Sequence, residues 1–227
     1  MRKAAAWLKQ SLDCEFSDED LLQRALTHRS AVGENNERLE FLGDSILQVV
    51  VSEYLFHERP GASEGRLSRL RSSLVKDTTL AEIAEGIGIG EHLILGAGEK
   101  KSGGHRRASI LADAVEAIFG AFYLDAGFEA ARQLIFRAYG ERMTNLPKSG
   151  ELRDPKSRLQ EYLQGRKIPL PDYNLDNVTG KAHRQTFEVS CAISDSGLKS
   201  TGKGMTRRDA EQEAASAMLA MLEDDNE

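Results

Sequence analysis

Asn36-Glu37-Arg38-Leu39-Glu40-Phe41-Leu42-Gly43-Asp44-Ser45 carries three carboxylates at i, i+3 and i+7. On a helix of 3.6 residues per turn, Glu37, Glu40 and Asp44 fall within about 60° of one another. Leu39, Leu42, Ile46, Val49 and Val50 take the opposite side, so an amphipathic helix is predicted from here to about His57, stopped by Pro60-Gly61. Acids at this spacing repel by about 0.3 kcal/mol per pair, which a fold tolerates. The stripe gains meaning only if other acids converge on it.

They come from a second helix, predicted over Ser109–Leu124. Asp113 and Glu116 stand at i, i+3 with Gly120 continuing their line, while Leu111, Val115, Ile118 and Phe122 form the apolar side. Packed side by side, the two helices would place four or five acids in one pocket, next to a small residue that leaves room for an approach. Carboxylate oxygens without His or Cys select a hard cation, Mg²⁺ or Mn²⁺, over zinc. Such a cation suits phosphoryl chemistry. Two ordinary solvated helix faces would give the same pattern singly, less readily both together.

The surrounding sequence to residue 143 reads as further helices: Leu21–Thr27, one starting near Ser63, Thr79–Glu85 capped by Asp77 or Thr78, and Phe128–Met143. Leu67, Leu70 and Leu74 should be buried on the second of these, with Arg66, Arg69 and Arg71 outward. Glu64 lies in its first turn, where the helix dipole favours an acid in any case. Gly86–Gly104 has no sustained period and reads as loop with short turns. The basic stretch Lys100–Arg107 either clamps phosphate beside the acids or is a solvated loop. Phe41 sits on the acidic side, where a large aromatic covers a neighbouring loop or enters a partner's pocket.

Composition changes at Thr144–Pro155, a polar run with Pro147, Gly150 and Pro155 that reads as a linker. Beyond it the period switches to helix, strand, strand, strand, helix: Lys156–Gln164, Tyr173–Val178, Thr186–Ile193, Leu198–Gly202 and a helix capped by Thr206, with Asp195-Ser196-Gly197 as a hairpin turn. Ala210, Ala214, Ala217, Met218 and Met221 mark the last helix's apolar side. Three pieces of this module could meet one ligand: Ser157, Gln160 and Glu161 on the first helix; His183 in a turn; Lys203, Arg207 and Arg208 at the start of the last helix. Groups able to read 2′-hydroxyls beside groups able to read phosphates suit the minor groove of A-form RNA.

The formal charge of −6 sets no bar to this, since a local basic face binds phosphate on an acidic protein. Residues 151–227 hold 11 Lys and Arg against 14 Asp and Glu, and four of those acids lie in the last five residues, so the body of the segment is 11 − 10 = +1. Cys14 and Cys191 have no metal-ligand spacing and read as reduced, partly buried thiols. The apolar start is stopped by Lys9, too early for a signal peptide, and no stretch approaches the roughly 20 apolar residues of a membrane span. A cytoplasmic protein is expected.

NERLEFLGDSIL at 36–47, SILADAVEAIFGAFYLDAG at 109–127 and RRDAEQEAA at 207–215 within its α-β-β-β-α module together resemble bacterial ribonuclease III over nearly the whole chain. The resemblance implies an all-α endonuclease and dimerisation domain at 1–145, a linker at 146–154, and a small α+β double-stranded-RNA-binding domain at 155–224. It implies Mg²⁺, with Mn²⁺ as a substitute, held by Glu40, Asp44, Asp113 and Glu116, of which Asp44 and Glu116 lie closest to the chemistry. Glu37 and Glu64 match acids of the cleavage valley, and Phe41 matches an aromatic that plugs into the second subunit of a homodimer. The implied reaction is hydrolysis of double-stranded RNA to 5′-phosphate ends with short 3′ overhangs, in ribosomal-RNA precursors and other structured transcripts. Lys181-Ala182 depart from the pattern, filling a turn where relatives often carry proline. Two other readings stay open on residues alone: a non-catalytic RNA-binding regulator, and a phosphohydrolase of small nucleotides.

Overall fold

The helical periods before residue 144 become a bundle built around one deeply buried rod. The computed structural model describes residues 2–146, 154–180, 185–194 and 197–224. The chain divides into two units, Met1–Pro147 and Lys148–Glu227. In the first, α1 spans Arg2–Leu12, α2 Glu19–Ala25, α3 Glu37–Glu58, α4 Glu64–Val75, α5 Asp77–Ile87, α6 Ala97–Lys101, α7 Ala108–Ala126 and α8 Phe128–Tyr139. Helix α7 is the rod: from Ile110 to Phe122 every residue is buried except Asp113 and Glu116. Against it lies α3, through Leu39, Ile46, Leu47, Val50, Val51 and Leu55.

The two rods approach to backbone contact. A Cβ built on Gly43 would lie 1.8 Å from the Glu116 carbonyl oxygen, and one on Gly120 would lie 2.2 Å from that of Leu39. The room left by Gly120 is therefore filled by the neighbouring helix, not by an approaching ligand. Only paired glycines permit this crossing, because any side chain would meet main chain that cannot yield.

Several local expectations shift. Val49 is 56% exposed, and the inner line of α3 passes through Leu47 and Val51 instead. Helix α2 ends at Ala25; Thr27 forms an isolated parallel bridge with Ile94. The Ile94 N–H donates to the Leu26 carbonyl at 2.8 Å and the His28 N–H to the Ile94 carbonyl at 3.0 Å, lacing two irregular segments together. Helix α5 begins at Asp77, so Lys76 occupies the N-cap position. Arg66 and Arg71 are half-buried rather than outward, and Arg71 Nη1 donates to Ser52 Oγ on α3 at 3.0 Å. Helix α8 stops at Tyr139 and a short 3₁₀ turn follows over Gly140–Arg142.

In the second unit α9 spans Pro155–Gly165, β1 Asp172–Thr179, β2 Thr186–Ile193, β3 Leu198–Gly204 and α10 Arg207–Asp224. The strands form an antiparallel sheet in the order β1-β2-β3, with a bulge between Leu175 and Asn177. Leu159 and Leu163 of α9, Cys191 and Ile193 of β2, and Ala214, Ala215, Met218, Leu219 and Leu222 of α10 make the core. Ala215 and Leu219 take the inner places expected of Ala217 and Met221, the latter 43% exposed. A Cβ on Gly202 would lie 2.2 Å from the Ala214 nitrogen, so α10 presses directly on β3. Lys181, Ala182, His183, the turn residues Asp195-Ser196 and residues 147–153 of the expected linker lie outside the described residues. Among the described residues no helix is long and apolar enough to cross a membrane.

Candidate active site and nucleic-acid surface

The α3–α7 crossing decides where the acids meet. With Gly43 against Gly120, the residues one turn away on each rod face one another. Glu40, Asp113 and Glu116 each bring a carboxylate oxygen within 4.8 Å of the others. Oxygens on opposite sides of an octahedral Mg²⁺ are about 4.2 Å apart, so this set fits such a cation with little movement. The donor set is oxygen alone, which favours a hard cation over zinc.

Charge in this cluster is only partly compensated. Burial pushes the Glu116 carboxyl up to about 8, and Asp44, Glu40, Asp113 and Asp77 add to the rise. Burial also raises Glu40, with Asp113 and Glu37 adding and Arg29 partly offsetting. Asp113 rises through burial and Asp77, against the pull of His28 and Arg29. Like charges gathered out of water make protonation the alternative to a bound cation.

The expected fourth acid stands slightly apart. Asp44 does not share the 4.8 Å cluster; its Oδ1 accepts from Gln48 Nε2 at 3.2 Å. Glu37 is held at the rim by Asn35 Nδ2 at 3.2 Å and Arg29 Nη1 at 3.5 Å. Glu64 is exposed and accepts from Ser68 Oγ at 2.8 Å. A cleft of about 730 Å³ runs from Glu40 and Asp113 past His28, Arg29, Asn36, Glu99 and Arg107. Arg107 thus reaches the acid-bearing cleft, paired there with Glu99 at 2.8 Å.

Sequence reasoning overlooked four residues here. His28, Arg29 and Asn36 come from the polar segment leading into the acidic helix, to which the sequence assigns no site role, and Asp77 is expected only as a cap. The loop's proximity to the acidic helix was the available signal; the position of Asp77 comes from tertiary packing of α5 on α7. His28 is tied down within its loop, its Nδ1 accepting from the Ser30 N–H at 3.2 Å and lying 2.8 Å from Ser30 Oγ.

Along the outside of α3, Phe41 (77% exposed), Val49 (56%) and Phe56 (67%) form an apolar stripe. These residues lie within about 80° of one another around the helix.

On the second unit, the starts of α9 and α10 are laced together. The Lys156 N–H donates to Gln212 Oε1 and Gln212 Nε2 to Asp154 Oδ1, each at 3.0 Å. Ser157, Gln160 and Arg208 consequently line one depression. Glu161 is exposed outside it. Lys203 pairs with Glu188 at 3.3 Å and Arg207 with Glu211 at 2.9 Å, so these cations are engaged within their own unit.

An acid-lined helical bundle joined to a helix-flanked three-stranded sheet defines a class, the two-domain nuclease with a separate duplex-RNA reader. Residues 18–143 match the ribonuclease-III-like family and residues 155–222 the double-stranded RNA binding motif. Ribonuclease 3 of Alkalilimnicola ehrlichii is 54% identical over 220 residues, covering 97% of this chain and 96% of that protein. That of Nitrosococcus oceani is 53% identical, covering 97% and 95%. A solved nuclease domain of ribonuclease III from Campylobacter jejuni, described for flexibility in its region involved in dimer formation, superposes with a TM-score of 0.58 at 47% identity, over 60% of this chain and 95% of that one. The chain belongs to the ribonuclease III family, with an endoribonuclease domain followed by a double-stranded-RNA-binding domain.

Proposed function

We propose that this endoribonuclease hydrolyses phosphodiester bonds of double-stranded RNA with Mg²⁺, or Mn²⁺ in its place, held by Glu40, Asp113 and Glu116. The observation that carries this is the cluster of half-buried carboxylates whose charge the neighbouring Arg29 and His28 offset only in part. Asp44, just outside the cluster but close enough that its charge raises Glu116, joins as the fourth acid once a cation draws the carboxylates together. When bound, the cation supplies Lewis acidity at the phosphoryl group and toward the attacking water. The chain's own part is to hold the acids at fixed spacing, to keep Glu116 protonated until a cation arrives, and to line the valley with Glu37 and Glu64.

Duplex RNA is gripped by Ser157, Gln160, Glu161, His183, Lys203, Arg207 and Arg208. Arg107 and Arg29 receive phosphate near the acids by exchanging their carboxylate partners for it. The exposed stripe of Phe41, Val49 and Phe56 favours a homodimer, Phe41 entering the second subunit, with one cut per subunit on opposing strands. Products carry 5′-phosphates and short 3′ overhangs, and ribosomal-RNA precursors and other structured transcripts in the cytoplasm are the cellular substrates.

The test is a Mg²⁺ titration of cleavage on a plain RNA duplex and its DNA counterpart. Cation-dependent cutting of the RNA alone is expected. Equal cutting of DNA, or cutting undiminished by chelator, would remove the assignment.

A further inference from the structure

Asn36 is 2% exposed, yet its side-chain nitrogen bonds to nothing. Its main chain is fully used: the N–H donates to the Thr27 carbonyl at 2.9 Å, and the carbonyl accepts from the N–H groups of Leu39 at 2.9 Å and Glu40 at 2.8 Å. Asparagine at this position, just before a helix, ordinarily caps it through its side-chain oxygen. Here there is no such bond. Its Nδ2 is buried without a partner, an arrangement that native proteins rarely keep without use. Among the described residues, the other buried side-chain atoms in that condition are Arg66 Nε, Arg132 Nε and Tyr173 Oη. None of those residues lines the cleft shared by Glu40 and Asp113, whereas Asn36 does.

Asn36 has helical backbone angles, φ −85° and ψ −11°. Glu40 therefore stands one turn further along, at the spacing where helix side chains meet. A carboxylate that turns one oxygen to a cation keeps the other as an acceptor, and such ligands are ordinarily oriented by a hydrogen bond from behind. We propose that Asn36 is a positioning residue whose Nδ2, unpartnered beside the metal-free acids, donates to the rear oxygen of Glu40 once that carboxylate turns to a cation, and so fixes it there with Asp113 and Glu116. This rests on the reading of the three acids as a cation site.

The experiment is Mn²⁺ binding by isothermal titration to the full chain and to Asn36→Leu, Asn36→Ala, Glu40→Gln and the Asn36→Leu/Glu40→Gln double variant, with melting of each metal-free protein. Both Asn36 variants should bind Mn²⁺ about tenfold or more weakly. Their metal-free melting temperatures should equal or exceed wild type, because an unpaired buried donor has gone. The double variant should bind no worse than Glu40→Gln alone, the signature of two groups acting through one contact. Unchanged affinity in both Asn36 variants, additive losses in the double variant, or metal-free melting lowered by several degrees would each overturn the inference. Wild type that fails to bind Mn²⁺ would overturn the cation reading itself, and the role of Asn36 with it.

Discussion

The acids of the nuclease unit and the cations of the RNA-binding unit handle charge in opposite ways. Glu40, Asp113 and Glu116 are crowded against one another, and burial and mutual repulsion hold their carboxyls above the ordinary range. Lys203 and Arg207 sit in the open, each beside a carboxylate of its own unit. The first arrangement demands something from outside; the second only exchanges partners. Pairs whose cation is open to solvent contribute roughly 0–1 kcal/mol, so on the proposed reading duplex phosphates displace them at little expense. On the proposed reading, chemistry is built into the crowded region and adjustable affinity into the relaxed one.

The sharpest way to break this contrast is Glu116→Gln, which removes the most perturbed acid. Cleavage should fall about a thousandfold or more, the upper range for loss of one preorganised electrostatic group, while duplex affinity measured without turnover stays near wild type. Substantial cutting by the variant would move the chemistry elsewhere. Next in size is Gly43→Ala, whose methyl would meet the Glu116 carbonyl. It should destabilise the nuclease unit by about 3 kcal/mol, seen as a lower melting temperature and weaker Mn²⁺ binding together; loss of neither would mean the rods separate freely.

A smaller effect tests the protonation state. Metal-free Glu116 holds a proton up to about pH 8, whereas a glutamate in the unfolded chain releases it near pH 4.3. Between those values the native state binds more protons than the unfolded one. The contribution of Glu116 to stability is therefore present at low pH and lost as pH rises toward 8. Cation binding must also expel that proton below pH 8, so Mn²⁺ affinity should drop by about tenfold per unit from pH 8 to pH 6. Isothermal titration across that range checks it, and a flat profile would contradict a cluster held protonated by burial and crowding. The smallest effect is on the relaxed side. Arg208 lines the depression with Ser157 and Gln160, so Arg208→Ala should weaken duplex binding and lower the slope of log K against log salt by about 0.9. Arg207→Ala, which removes a cation already engaged with Glu211 and leaves Glu211 its Lys156 partner, should change both less; the reverse order would show that pairing does not govern the contribution.

Much of this was legible from residue order. The acids at 37, 40 and 44 and at 113 and 116 lie on helices as their spacing requires, and the change of period after residue 155 reads directly as α-β-β-β-α. Val49 misled because a second apolar line on α3, facing outward through Phe41 and Phe56, mimics a core position in one dimension. What could not be read was contact between distant irregular segments. The bridge from Thr27 to Ile94 and the pairing of Lys156 Nζ with Glu211 at 2.6 Å leave no periodic trace. Asp77 is the clearest case: a helix-start residue by sequence, a neighbour of the acid cluster once α5 packs on α7. The Arg207–Glu211 pair was readable in principle, being i, i+4 on one helix.

The glycine crossing has a consequence for how this site can vary. Each Cβ it forbids would strike main chain of the opposite rod, so no single compensating side-chain change elsewhere can restore the fit. The distance between the two acidic faces is thereby fixed by covalent geometry, while everything mounted on those faces remains open to substitution. Attempts to retune which cation the enzyme accepts will have to exchange carboxylates or their supports, because the gauge of the frame is not adjustable.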